Sequence, residues 1–189
     1  MELRTKPSVM LSMIGLLTLF LGVAVACQGR FLSYRGAVAK QESRIPLLEG
    51  GPHTGFWKTQ DLSMRYSYRR DQDNMELSGT MELDESLERG FTTLEYLILR
   101  VHLLDVEGRV LESKGVLTSE YRHMIKKLSF KGNLKLPQST TAIAFSYRGR
   151  VRDGGGSGRT LEDAGDGDSW DFWIYPFLRE KKGDTGPKS

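Results

Sequence analysis

Cysteine, histidine and catalytic motifs are scarce in this sequence. Its 189 residues include one cysteine and three histidines. No metal-site spacing joins His53, His102 and His123 to a second ligand, and neither an HExxH motif nor a P-loop occurs. Residues 155–158 do not form a nucleophile elbow, because Arg159 follows them and no apolar strand leads into them. We therefore expect no enzyme activity and no cofactor.

A large excess of one charge is also missing. The chain has 27 lysines and arginines against 24 aspartates and glutamates, a formal net charge of +3. A balance this close to neutral gives no general reason to expect nucleic acid as a partner. The sequence shows no internal repeat, so a repeat architecture is not expected either.

The long apolar run lies near the start of the chain. Arg4 and Lys6 precede an apolar stretch over residues 9–26. A basic start, an apolar stretch and a site of small residues, here Ala24 and Ala26, are typical of a secretory signal peptide. We expect cleavage after Ala26. The alternative is an uncleaved membrane anchor, because an apolar run of about 18 residues is at the short end of what spans a bilayer.

The only cysteine follows this run directly. The residues Ala24-Val25-Ala26-Cys27 resemble the lipobox of bacterial lipoproteins, although that family prefers leucine where Ala24 stands. The resemblance covers the first 27 residues and implies thioether lipidation and acylation of Cys27. It also implies an outer-membrane location, because Gln28 is not the aspartate associated with inner-membrane retention. An unpaired cysteine in an exported protein needs such a reason. The alternative is cleavage by the ordinary peptidase, with an incidental thiol.

The rest of the chain divides into three predicted regions behind the signal peptide of residues 1–26. Residues 27–55 have many glycines and prolines and no clean periodicity, which indicates a flexible tether. The alternative is docking of residues 31–32 and 45–48 on the domain, with a short helix around Ala37. Residues 56–178 are the predicted folded domain, and residues 179–189 are a predicted disordered polar tail.

Alternation of apolar and polar residues predicts strands from residue 56 onward. Leu62, Met64, Tyr66 and Tyr68 share one face of a first strand, and residues 75–83 continue it as a hairpin. Further predicted strands include a central one apolar on both faces; residues 118–128 fit either a short helix or a strand. About seven to eight short antiparallel strands predict an all-β sandwich, similar to immunoglobulin and fibronectin-III domains in pattern.

Arginines of one parity make the first candidate binding surface. Arg148, Arg150 and Arg152 alternate along one predicted strand, and Arg65 lies on the polar face of another. If the strands are neighbours, the four guanidinium groups form a stripe that suits carboxylate or phosphate, as in an anionic glycan or lipid headgroup. The alternative is an ordinary solvated face or a charged edge.

Aromatic residues crowd the last predicted strand. Trp170, Phe172 and Ile174 share one face, and Trp173, Tyr175 and Phe177 share the other. One face belongs to the core. The other face, with Trp173 and Tyr175, is either an aromatic contact surface or buried beneath the docked tether.

An acidic loop precedes that strand. Asp163, Asp166 and Asp168 alternate with small residues, a pattern that can wrap calcium but lacks the order of an EF-hand. A solvated loop is the favoured interpretation.

These features predict a lipid-anchored protein of the bacterial cell envelope, facing the periplasm or exterior. The sandwich is expected to act without catalysis, in binding an envelope protein or in assembly. The alternative function is binding of an anionic glycan or lipid headgroup through an arginine and aromatic strand face.

Overall fold

The computed structural model describes residues 34–123, 127–153 and 168–178. The predicted signal peptide, Cys27 and the predicted polar tail lie outside these residues. The described chain has a 3-10 turn at Gln41–Ser43, one helix, α1 (Glu85–Gly90), and nine strands. The strands are β1 (Ile45–Pro46), β2 (Gly50–Lys58), β3 (Leu62–Asp71), β4 (Asn74–Leu83), β5 (Thr93–Leu104), β6 (Val110–His123), β7 (Lys127–Lys135), β8 (Ala142–Arg152) and β9 (Ser169–Ile174).

Two antiparallel sheets form the sandwich. Sheet I has the order β6-β5-β8, and both β1 and β9 pair with the remaining edge of β8. Sheet II has the order β2-β3-β4-β7. The predicted all-β sandwich is confirmed, and β1 and β2 bring the described strands to nine.

The alternating pattern of β3 and β4 sets the inner face of sheet II. The β3 residues Leu62, Met64, Tyr66 and Tyr68 are all buried, and three of their four β4 partners are buried as well: Leu77, Met81 and Leu83. Gly79 on this inner face lies directly beneath the ring of Phe130 on β7. A side chain does not fit there, because a Cβ would lie 2.6 Å from Phe130 Cζ. The predicted hairpin and the close packing at Gly79 are both present.

Tyr147 of β8 links the two sheets through hydrogen bonds of its hydroxyl. Its hydroxyl donates to Asp61 Oδ2 at 2.6 Å and lies 2.9 Å from Thr59 Oγ1, both in the turn between β2 and β3. Burial, followed by the hydrogen bond to Asp61, raises the pKa of Tyr147 above its ordinary value. The phenol therefore stays protonated and keeps donating across the sandwich.

The predicted tether is wrong for residues 34–55, which are part of the fold. Ala39 is fully buried, Lys40 N donates to Pro176 O at 2.7 Å, and β1 pairs with β8. The alternative of docking is correct for Ile45, which packs on the core, whereas Leu48 is exposed. The glycines of this region led to the wrong prediction, because glycine at positive φ is compatible with paired backbone. Gly50 and Gly51 both have positive φ at the start of β2, where Gly50 pairs with Arg70.

The strand that ends at His123 resolves an open prediction, and a short helix was not predicted. The segment from residue 118 is strand as far as His123, which decides against a helix there. Helix α1 was not predicted; Asp84 caps it, because its carboxylate accepts from Ser86 N at 2.9 Å. Only Leu87 of this helix is buried, so the apolar periodicity was too short to detect.

Candidate functional site

The structure separates the four candidate arginines. Arg148, Arg150 and Arg152 point outward from β8 in sheet I, with the buried Val151 between two of them. Arg65 points outward from β3 in sheet II. The predicted single stripe is therefore wrong, because β3 and β8 belong to opposite sheets and their outer faces look away from each other.

On the outer face of sheet I, the three arginines of β8 lie among aromatic residues of the neighbouring strands. Strand pairing places Arg150 between Tyr96 of β5 and Asp171 of β9, and Arg148 beside Trp173. We call this surface the aromatic–arginine face and define it by its members: Tyr96, Arg148, Arg150, Arg152, Asp171, Trp173 and Tyr175.

Hydrogen bonds organise this face around Asp171 and Tyr96. Arg150 donates from Nε and Nη2 to the two oxygens of Asp171, at 2.9 and 2.8 Å. Tyr96 Oη donates to Asp171 Oδ1 at 3.2 Å and accepts from Arg148 Nε at 3.0 Å. The hydrogen bond from Arg150 keeps the pKa of the Asp171 carboxyl below its ordinary value. The chain of contacts holds both guanidinium groups in place.

Most of the positive charge on the face is already matched. Arg150 is paired with Asp171, and Arg152 forms an ion pair with the nearly buried Glu95. Within the described ranges, Arg148 has no carboxylate at ion-pair distance; its side chain bonds to Tyr96 and lies over that ring, 5.4 Å from the centroid. Of the three arginines of β8, Arg148 is therefore the one left to meet an external negative group.

Trp173 near the end of β9 and Tyr175 just after the strand are exposed on this face. Trp173 is 57% exposed and Tyr175 is 39% exposed. Phe172 is buried in the core and Ile174 packs against it, as expected for the inner face, whereas Trp170 is 58% exposed. Trp173 is therefore exposed as a contact surface requires, whereas Tyr175 is partly covered by Tyr34 of the preceding chain, with ring centroids 5.8 Å apart.

The other half of the same outer face is covered by the ends of the described chain. Tyr34, Ala37, Ala39 and Phe177 pack over small and apolar side chains of β5, β6 and β8, and we call this cluster the terminal core. Val38 bridges to Arg109, and Ala39 bridges to Phe177. The terminal core removes from solvent a part of the sheet that would otherwise be an apolar patch.

His102 lies beneath the terminal core and is fully buried. Its Nδ1 and Nε2 are each 2.7 Å from a serine hydroxyl, those of Ser113 and Ser146. Tyr34 and Phe177 contact the ring edge-to-face, with centroids 5.2 and 4.9 Å away. Burial, followed by the charge of Arg100, lowers the pKa of His102 to about 4. The imidazole is neutral and has no access to a substrate.

The described ranges contain neither a candidate metal site nor a candidate membrane-spanning helix. No group of three or more histidine, cysteine or acidic side chains is placed to hold a metal ion there. Of the acidic-loop candidates, Asp163 and Asp166 lie outside those ranges, and Asp168 is exposed. No helix in the described part of the chain is long and apolar enough to cross a bilayer.

The outer face of sheet II carries Arg65 beside a shallow depression of about 850 Å³. Phe56 of β2 pairs directly across from Arg65 and is 60% exposed. Four short hydroxyl side chains also line the depression, those of Thr54, Ser67, Ser78 and Thr80, and the lining is completed by Gly55, Tyr66, Gly79 and Phe130. This second surface differs from the aromatic–arginine face in having no acidic side chain in its lining.

Sequence reasoning missed Tyr96, Asp171 and His102 as organising residues. Asp171 shares the parity of Trp173 and Tyr175, so its place on their face was readable from the sequence. The pairing of Asp171 with Arg150 was not readable, because register between β8 and β9 depends on the fold. His102 carried no signal, since its two serine partners come from different strands.

Comparisons with protein-family models, with curated proteins and with solved structures found no match for this chain.

Proposed function

We propose that this chain is a bacterial envelope lipoprotein whose sandwich binds a protein partner without catalysis. A lipid on Cys27 would hold it in the membrane, and Gln28 favours the outer membrane. The observation that carries the binding role is the exposure of Trp173 and Tyr175 beside Arg148. Tryptophan, tyrosine and arginine are the residue types that most often dominate the energy of protein interfaces.

The aromatic–arginine face is built on a rigid support. Trp173 lies on β9, whose backbone pairs with β8 from Ser169 to Ile174. Arg148 is held by Tyr96, so its guanidinium loses little side-chain freedom when a partner binds. Preorganised side chains of this kind favour binding because their ordering cost has been met on folding.

The charge balance favours a protein over an anionic glycan or lipid headgroup on this face. Asp171 and Glu95 neutralise Arg150 and Arg152, which a polyanion would need unpaired. One open cation and two exposed rings fit a partner that offers a carboxylate opposite Arg148 and an apolar pocket for Trp173.

Site-specific photocrosslinking in intact cells tests the partner site. A photoreactive phenylalanine analogue at position 173 is expected to form an adduct with one envelope protein. Arg148→Glu in the same chain should abolish the adduct, because it reverses the open charge. The matched control places the analogue at Lys135, an exposed residue on the outer face of sheet II that lies outside the depression described there. Adducts confined to lipid or glycan, or identical adducts from both positions, would contradict the proposal.

Mass spectrometry of the mature N-terminus tests the anchor. The expected species begins at Cys27 and carries diacylglyceryl or triacylglyceryl mass. Cys27→Ala should lose that mass and membrane association together. A free N-terminus in the soluble fraction, or an intact Met1 in the membrane, would show that the lipobox assignment is wrong.

A further inference from the structure

The depression on the outer face of sheet II is not used by the proposed partner site. It lies on the opposite side of the sandwich from the aromatic–arginine face, since its side chains point outward from β2, β3 and β4. Its volume of about 850 Å³ is within the range of small-molecule sites, of the order of 300–1,000 Å³. It is open to solvent, so a ligand would lie along the sheet rather than inside a cavity.

Arg65 supplies the only charge in the lining. No ion pair or side-chain hydrogen bond engages its guanidinium within the described ranges. The acidic residue nearby on β4, Glu82, pairs instead with Lys127 of β7 at 3.9 Å. By contrast, Arg150 and Arg152 on the other face each have a carboxylate partner. Arg65 therefore presents an unmatched guanidinium fork to solvent at the edge of the depression.

The uncharged part of the lining has a specific chemistry. Thr54, Ser67, Ser78 and Thr80 each bring a hydroxyl, which can both donate and accept a hydrogen bond. Phe56 brings an exposed ring next to Arg65 on the neighbouring strand. A polyhydroxylated ring with an apolar face and a carboxylate matches these three features together. Its hydroxyls form hydrogen bonds with the hydroxyl side chains, and its apolar face packs on Phe56. Its carboxylate accepts hydrogen bonds from the guanidinium of Arg65.

We infer that this depression binds an oligosaccharide that places one carboxylate on Arg65, the single cation of the lining. A peptide fits less well, because strand addition needs an open sheet edge and this surface is the face of paired strands. A phosphate group fits less well too, because the lining has a single cation and no helix N-terminus. The inference does not depend on the lipid anchor or on the partner of the aromatic–arginine face.

Isothermal titration calorimetry of the full-length protein in detergent, with trigalacturonic acid as the probe, tests the inference. Saturable binding is expected, and Arg65→Ala should weaken it about tenfold, the effect of losing one charged hydrogen-bonded contact. The matched control is Arg69→Ala, which removes an exposed arginine of the same strand and face outside the depression. That control should change affinity by less than about twofold. Phe56→Ala should weaken binding without altering the circular dichroism spectrum.

Four results would overturn the inference. The first is the absence of saturable binding by the wild-type protein. The second is an equal loss in Arg65→Ala and Arg69→Ala, which would indicate a general charge effect. The third is binding of citrate as tight as that of trigalacturonic acid, which would indicate a simple carboxylate site. Maltotriose, a neutral trisaccharide, should bind about tenfold more weakly than trigalacturonic acid, and equal binding would remove the role of charge.

Discussion

The outer faces of sheet I and sheet II carry arginine and aromatic side chains in two different settings. On sheet I, Arg150 and Arg152 are paired with carboxylates, and half of the face is covered by the terminal core. On sheet II, Arg65 is unmatched and the single large ring, Phe56, stands among hydroxyls. The outer face of sheet I is therefore partly covered by the chain ends, whereas the outer face of sheet II is open to solvent over the depression beside Arg65.

The physical reason is the placement of the chain ends. The segment from Tyr34 to Ala39 and the residues after β9 both pass over β5, β6 and β8. Apolar side chains on that part of the sheet are stabilising because they are covered. No described segment crosses sheet II, so the equivalent positions there carry serine, threonine and charged residues. Substitutions on the two faces should therefore differ in their effect on stability.

The largest expected difference is between two phenylalanines. Phe177→Ala should lower the free energy of unfolding by about 3 kcal/mol, the low end for a packed ring, because Phe177 is half-buried against Tyr34 and His102. Phe56→Ala on sheet II should change it by less than about 0.5 kcal/mol. Urea denaturation followed by tryptophan fluorescence measures both. Similar losses for the two variants would remove the distinction between the faces.

A second difference concerns acid. The pKa of folded His102 is about 4, below its ordinary 6.5, so the unfolded chain takes up this proton first as the pH falls. Stability is therefore present above the unfolded pKa and is lost as the pH falls from about 6.5 towards about 4. Between about pH 7 and about pH 5 the loss should be about 2 kcal/mol. Ser113, Ser146, Tyr34, Phe177 and Arg100 surround the ring, and none supplies a negative charge to offset protonation.

Denaturation curves across this pH range, with His102→Gln as the variant and His53→Gln as the control, check the prediction. The slope of stability against pH should fall in His102→Gln and persist in His53→Gln. NMR titration of the wild-type His102 ring gives a second readout that needs no variant. A ring that becomes protonated near its ordinary pKa in the folded protein would contradict the buried neutral state.

The smallest expected difference is between two arginines. Arg152→Ala leaves the carboxylate of Glu95, 7% exposed in its side chain, without its ion-pair partner. The loss should be about 1 kcal/mol, because Arg152 is 39% exposed and solvent screens the pair. Arg65→Ala should leave the free energy of unfolding unchanged within about 0.5 kcal/mol, since its side chain pairs with nothing in the described ranges. Thermal unfolding of the two variants, measured together, checks the order.

Strand content and face parity were predictable because they are local. Leu62, Met64, Tyr66 and Tyr68 alternate with polar residues, and a side-chain period of two has one structural meaning. The exposure of Arg148 and Arg150 on one face followed from the same rule. The start of the folded domain was not predictable in this way, because Ala39 and Ile45 are held by contacts with β8, β6 and Phe177, far along the chain.

The candidate sites were predictable only in composition. Sequence alone identified the arginines and the aromatic strand, but it placed Arg65 with the arginines of β8 and overlooked the acids that neutralise two of them. Which strands become neighbours depends on pairings between distant segments, such as Arg150 opposite Asp171. Hydrogen-bond register and sheet assignment are cooperative properties of the whole sandwich, and no short window of sequence contains them.

The amino-acid sequence by itself determined that the domain is all-β and which side chains face outward from each strand, because alternation is set by the backbone of a single strand. It also carries the lipobox-like segment that ends in Cys27. The tertiary structure decided which outward side chains meet. It brought Arg150 and Asp171 together, buried His102 beneath the chain ends, and left Arg65 alone on the opposite sheet, because each of these outcomes depends on which strands pair and which segments cover them.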